Sequence, residues 1–425
     1  MSIASYLLVA LLATAPAAII ANDGYVQSAI LPLIALTLAF AAMSASSPEI
    51  ALAKQTLKRF ALAILVPIIW MIVQILPPPV SSLANPIWSS AAIALNAPSL
   101  SGHISIDPGA TLHSLVCYLA VFAVIVSTVL VTKDRRRAEL ILLVLTVAAT
   151  LVALTYLLGR ADQLAATGGV VALTALLAAL ANGAVVAMAV ERHLNHSEAI
   201  LSISAQHLLQ MLLGVCGIAV SVAAIVALGQ RHLLSLAGLG FALMLFVAVV
   251  RRLGLRPWPA TILALILVAA TGAGLARSAA STDLLRLAES STDESLAIAQ
   301  RALSGSPWVG NGVGSFAEIS RVYRDFGISG LVMPPSTAVA VAIEWGRPAL
   351  LVLAALALQL FFFNLRGAVG RGRDSFFASL AAAGVLCALC ASFVDPGLLA
   401  PVLQIILAVM VGLGISQCAG RTSSV

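Results

Sequence analysis

Charge is what this sequence has least of. Of its 425 residues only 9% are charged and 61% are apolar, against roughly 25% charged in a soluble domain. A surface of that composition cannot be hydrated, so lipid must solvate most of it, in line with a mean hydropathy of +1.07. Period-two alternation is missing as well. The apolar runs are continuous over roughly 18 to 25 residues, which excludes a membrane β-barrel. Helices remain, because they satisfy their own backbone groups in hydrocarbon. The first apolar run, starting at Ser2, has no basic stretch before it and is expected to be a retained helix.

Other absences narrow the chemistry. No HxxxH, HExxH or carboxylate cluster is present, so no metal site is expected. No Gly-x-Ser-x-Gly or Ser-His-Asp pattern stands out. The five cysteines (Cys117, Cys216, Cys387, Cys390, Cys418) all fall in apolar runs. Cys387 and Cys390 form a CxxC at helical spacing, where small packing residues are the expectation and a disulfide is not. The net charge of +6 does not imply nucleic-acid binding, since Lys and Arg in a membrane protein set orientation.

What is present is a series of twelve apolar runs, near 3–21, 28–46, 60–78, 112–132, 140–158, 170–190, 208–228, 233–250, 258–277, 336–364, 376–394 and 402–420. The basic residues between them segregate by parity. One set of loops carries Lys54, Lys58, Arg59, Lys133, Arg135, Arg136, Arg137, Arg192, Arg251, Arg252, Arg256, Arg366, Arg371, Arg373 and Arg421. The short loops of the other set carry Arg160 and Arg231. The expected fold is an all-α polytopic membrane protein of about twelve transmembrane helices with both termini cytoplasmic. It divides into residues 1–277 (helices 1–9, with a periplasmic loop at 79–111), a large periplasmic loop at 278–335, and residues 336–425 (helices 10–12).

The large loop holds the sequence's most distinctive stretch, Gly305-Ser306-Pro307-Trp308-Val309-Gly310-Asn311-Gly312-Val313-Gly314-Ser315-Phe316. Before it, Ser291-Thr292-Asp293-Glu294 reads as a capping box opening a helix with Leu296, Ala299 and Leu303 on one face. After it, Phe316–Phe326 reads as a second amphipathic turn with Arg321 and Arg324 at i, i+3. Gly310, Gly312 and Gly314 are not a nucleotide cradle, because no strand precedes them and no Gly-Lys-Ser/Thr follows. They read as a turn whose glycines supply positive φ. Free N–H groups at the start of Phe316–Phe326, with Arg321 and Arg324, would suit a lipid diphosphate. Arg231 sits in the short loop Gly229-Gln230-Arg231-His232 between strongly apolar runs, where snorkelling and function compete as explanations. Glu344 and Arg347, at i, i+3, offer either an intramembrane ion pair or a functional one.

These pieces resemble the O-antigen ligase and polysaccharide polymerase superfamily, in its alphaproteobacterial branch. The Ser306–Phe316 stretch, trailing into Tyr323-Arg324, is similar to its "NP-L-L-G-x-G-x-G-x-F … Y" signature. Leu76-Pro77, Asn85-Pro86-Ile87-Trp88, Ser105-Ile106-Asp107-Pro108, Glu344-Trp345-Gly346 and Ser392-Phe393-Val394-Asp395 follow in the right order. The resemblance implies a GT-C-like glycosyltransferase architecture in a bacterial inner membrane. It implies inverting, cofactor-free and metal-independent transfer of a glycan from undecaprenyl diphosphate at the periplasmic face. The acceptor would be lipid A-core or a growing polysaccharide chain, as in lipopolysaccharide or exopolysaccharide synthesis. Arg231 falls where the family holds its diphosphate-binding arginine. The second arginine position falls on Thr292, with Arg301 and Arg324 to stand in, and Arg321 beside them. The family's acceptor-site histidine falls on Pro335, and a second on Ala391. Glu318 and Asp325 are then the candidate bases. Two other readings fit twelve helices: a secondary transporter, against which the nearly charge-free spans argue, and an inactive scaffold in polysaccharide export, which the missing histidine favours.

Overall fold

The computed structural model describes residues 3–21, 24–97, 99–159, 168–196, 205–253, 293–325, 332–370 and 374–419. Among the described residues every regular element is helical and no strand occurs. The helices are α1 (Ile3–Ala21), α2 (Gly24–Ser44), α3 (Ser47–Arg59), α4 (Ala61–Ile75), α5 (Ile87–Ala94), α6 (Pro108–Val131), α7 (Arg135–Leu157) and α8 (Gly168–His196). There follow α9 (Ala205–Ala227), α10 (Arg231–Arg252), α11 (Asp293–Gly305), α12 (Phe316–Tyr323), α13 (Thr337–Glu344), α14 (Arg347–Gly370), α15 (Ser375–Ala391) and α16 (Pro401–Ala419). Seven of them are long and apolar enough to cross a membrane: α6, α7, α8, α9, α10, α14 and α16. Shorter apolar stretches lie in α1, α2, α4 and α15.

Helices coincide with eleven of the twelve apolar runs. The ninth, 258–277, lies outside the described residues, as do Arg160, Arg256, Ser291, Thr292, Phe326, Arg371, Arg373 and Arg421. The tenth, 336–364, differs from expectation. It is two helices, α13 and α14, broken at Trp345-Gly346, and only α14 is long enough to span. Gly346 breaks the helix with a φ of 93°, and Pro348 near the start of α14 suits a first turn that lacks N–H partners anyway.

Local sequence explains the ends. Asp107 caps α6 by accepting the Ala110 N–H at 3.0 Å, with Pro108 at the first helical position. Asp134 caps α7 through the Arg136 N–H at 3.3 Å. Ser336 caps α13 through the Val339 N–H at 3.2 Å. The centre of the bundle is α15, apolar on all sides and therefore enclosed on all sides, packed by α8, α10, α14 and α16. All five cysteines are free thiols.

The two ends of the bundle are built differently. At one, residues from the basic loops meet acidic partners. Arg135 bonds Glu139 at 2.8 Å and Asp374 at 3.1 Å. Arg192 also bonds Glu139, Arg251 lies 3.6 Å from Glu191, and Arg251 donates to the Ser375 hydroxyl. At the other end, the last turn of α4, the first turns of α6, α10 and α14, and the whole of α11–α13 gather with the loop at 84–107.

Packing inside the bundle sets its stability. Phe377 on α15 is fully buried and Leu351 on α14 is 73% exposed. Phe377→Ala is expected to cost about 3 kcal/mol or more by leaving a cavity, seen as a lower thermal midpoint in detergent, while Leu351→Ala leaves the midpoint unchanged.

Candidate functional site

The Gly310–Gly314 loop is the junction of the second end. Gly310, Gly312 and Gly314 have φ of 82°, 105° and 80°, in the left-handed region that glycine enters freely. Close approach also demands glycine, since a Cβ on Gly310 would strike the Glu344 carbonyl and one on Gly312 the Ser105 side chain. The loop's donors are used internally. Asn311 N–H bonds the Ile343 carbonyl at 3.1 Å, Gly312 N–H the Glu344 carbonyl at 3.0 Å, and Ile106 N–H the Asn311 carbonyl at 2.8 Å. The Asn311 amide donates to Ser306 Oγ at 2.8 Å, and its oxygen accepts from Asn85 at 3.0 Å.

Gln74, fully buried at the end of α4, closes this junction. Its Nε2 donates to the Val309 and Glu344 carbonyls, each at 3.1 Å. Its Oε1 accepts the Val313 N–H at 3.3 Å, and its backbone carbonyl accepts the Ser105 N–H at 3.1 Å.

The anion at the start of α12 is the protein's own. Glu344 Oε1 accepts the Phe316 N–H at 2.9 Å, so the helix start expected to face a lipid diphosphate is already occupied. Burial pushes the Glu344 carboxyl up to about 7, against the opposing pull of the Gly314 and Phe316 N–H groups. No Glu344–Arg347 ion pair forms, because Arg347 turns outward and donates to the Leu303 carbonyl at 3.1 Å.

A second buried carboxylate, Asp395, lies at the opposite end of α13. Its backbone carbonyl accepts from Thr337 N–H at 3.1 Å and Thr337 Oγ1 at 2.9 Å, which ties the α15–α16 turn to the start of α13. Its Oδ1 accepts the Gly397 N–H at 2.6 Å. Oδ2 is buried without a hydrogen-bond partner, an expensive condition for a carboxylate oxygen. Gln230 and His232, on either side of Arg231, bear on the carboxylate without closing a short bond to Oδ2. Burial raises the Asp395 carboxyl above its ordinary value, while the Gly397 N–H, His232 and Gln230 pull it back. Gly169 carries no Cβ where one would strike Asp395, at 2.8 Å from Oδ2.

The other residues singled out in the sequence fall into separate groups. Arg301 makes a bidentate bond to Asp325, at 2.8 and 2.9 Å, and donates to the Tyr323 carbonyl at 2.9 Å. That bond holds the Asp325 carboxyl below the usual range, which makes it a poor proton acceptor. Arg321 bonds Glu318 at 2.8 Å on the exposed side of α12. Arg301 and Arg321 are thus each paired with one of the two expected bases: Arg321 and Glu318 are neighbours three apart on one helix, while Arg301 reaches from α11 to the end of α12. Arg324 is exposed at the end of α12 and Arg231 is exposed at the tip of α10. Pro335 and Ser336 are buried, next to Thr337 and thus to Asp395. The apolar faces of α11 and α12 behave as expected: Ala299, Ala302, Phe316 and Ile319 form a small core with Val339 and Ile343 of α13, with Leu296 and Leu303 at its edge.

Sequence reasoning named His232 but did not join it to Asp395. The turn signal Asp395-Pro396-Gly397 was legible, and the contact across 163 residues was not. The searches for relatives add nothing to this picture: no protein-family model matches the chain, and no curated protein matches it significantly.

Two outcomes follow from the geometry. Gly312→Ala forces a side chain into the left-handed region, about 1–3 kcal/mol of strain, and against Ser105. It should lower the thermal midpoint sharply, whereas Gly238→Ala, which meets open space, should not. Glu344 makes the stability depend on pH. Its folded form holds a proton to about pH 7 against an ordinary 4.5, so its contribution is complete below the lower value and is lost as pH rises through the upper. The thermal midpoint should fall across that window in the native protein, and the fall should shrink in Glu344→Gln. Equal slopes for the two proteins would remove Glu344 as the cause.

Proposed function

We propose that the protein is a glycosyltransferase of the O-antigen ligase and polysaccharide polymerase type, moving a glycan from undecaprenyl diphosphate to an acceptor sugar at the periplasmic face of a bacterial inner membrane. The observation that supports this most is the Asp395 cluster. A buried carboxylate with an unused oxygen stands beside Gln230 and His232, the chain neighbours of exposed Arg231, and against the start of α13, where the family's acceptor-site histidine would be and Pro335-Ser336 stands instead.

The reading assigns a role to each group. The acceptor hydroxyl oxygen attacks the donor's anomeric carbon, the new glycosidic bond forms, and the bond to the diphosphate breaks with its electron pair on the leaving oxygen. Arg231 neutralises the charge that develops there, and exposed Arg324 is the second cation still available for it. The acceptor's proton passes to His232, and Asp395 holds and stabilises the resulting imidazolium. Glu318 and Asp325 take no part, each being bound to an arginine.

The test has a genetic and a residue arm. Deleting the gene should alter the lipopolysaccharide ladder or the exopolysaccharide, and an unchanged glycan profile would sink the proposal. Complementation with His232→Ala or Arg231→Ala should leave transfer about a hundredfold or more below the native level, the scale of losing a proton acceptor or an electrostatic donor. Full rescue by Arg231→Ala would move the site elsewhere or favour a scaffold.

A further inference from the structure

The basic end of the bundle contains a groove that the glycan chemistry does not use. It is open along one side and holds about 610 Å³ when the space open to its surroundings is counted. Its walls are α4, α6, α14 and α16, with Phe122, Val126, Leu360 and Ile415 facing in. Its only polar side chains are Thr56 and Tyr118, and the Tyr118 hydroxyl is already donated to the Ala63 carbonyl at 2.8 Å. Nothing in the groove is left to bind a polar ligand. Its wall residues come from spanning or apolar helices, so its natural content is hydrocarbon.

Helix α3 forms one rim. Ala53 and Thr56, with Phe60 just beyond the helix end, line the groove and are buried. The end of α3 is fixed against α14 by an edge-on Phe60–Phe363 contact at 4.9 Å. Lys54, Lys58 and Arg59 are exposed. At about 100° per residue, Lys54 and Arg59 flank the buried stripe at roughly 120° and 100° to either side. Lys58 points nearly away from it, at about 160°. The rim thus pairs an apolar slot with two flanking cations on long stems that snorkel to a membrane surface.

We propose that this groove is a specific site for one anionic phospholipid of the surrounding bilayer, with an acyl chain in the slot and its phosphate held by Lys54 and Arg59. The slot accounts for the chain and the flanking pair for the charge. A zwitterionic lipid would fill the slot equally well but gain less from the cations. The site stands in the half of the bundle away from Asp395 and Glu344, so it is independent of the proposed glycan transfer.

Native mass spectrometry of the full chain in neutral detergent, titrated with phosphatidylglycerol or phosphatidylcholine, tests it. One phosphatidylglycerol should bind per protein, and each cation near the surface contributes about fivefold in affinity, roughly 30-fold for the pair. Lys54→Gln/Arg59→Gln should bring phosphatidylglycerol down to the level of phosphatidylcholine, and Lys58→Gln should keep the preference. Ala63→Trp, which fills the slot, should release both lipids. If that variant does not fold, the surface variants still decide the matter. Equal binding of the two lipids by the native protein, a preference that survives the double variant, or a loss as large in Lys58→Gln would each overturn the proposal.

Discussion

One buried side-chain amide, Gln74, holds three distant parts of the chain in register. Taking an amide out of water without partners costs a few kcal/mol, and here both of its ends are satisfied by backbone groups of the glycine loop and the end of α13. The glycine loop can lie this close only because its turns lack Cβ atoms. The break before α14 exists because the same backbone receives the loop. Trp70 adds a bond from its indole N–H to the Trp345 carbonyl at 3.0 Å, on the same helix as Gln74 and at the same break. The positions of Glu344, of the small α11–α13 core and of the start of α14 all follow from this junction.

The two ends of the bundle hold their least exposed carboxylates in different ways. At the basic end, arginines meet carboxylates side chain to side chain, and the surplus cations lie on the surface. At the other end, Glu344 and Asp395 are buried and held chiefly by backbone N–H groups. They sit at the two ends of α13, with seven helical steps from Thr337 to Glu344, about 10 Å of helix. Buried carboxylates of raised affinity for protons gather at functional sites more often than elsewhere. Asp395, with an oxygen left over, is the more telling of the two. Glu344 has its hydrogen bonds and reads as part of the junction.

Much of this was legible in the sequence because it depends on local rules. Apolar runs gave the helices, and Gly310, Gly312 and Gly314 gave a left-handed turn. The break at Trp345-Gly346 was not legible, since the run around it stays apolar and the reason for the break is a loop arriving from elsewhere. The pairing of the cations was not legible for a related reason. Arg301, Arg321 and Arg324 are close in sequence to Glu318 and Asp325, and counting charges does not say which of them neutralise each other. Asp395 and His232 meet through the packing of α10 on α15, which no spacing rule reports.

The bonds of Gln74 also set an order of assembly. Its partners lie 235 to 270 residues later in the chain, and contacts of such separation form late because a long loop must close first. During synthesis α4 therefore emerges with a glutamine whose side chain has no lasting partner until the glycine loop has followed it. The early helices must wait in a loose arrangement, and the last third of the chain acts as the latch that converts them into a bundle. A ribosome stalled before residue 309 would leave α4 without any of these side-chain bonds, and quality-control proteases that recognise unsatisfied polar groups would have Gln74 to read.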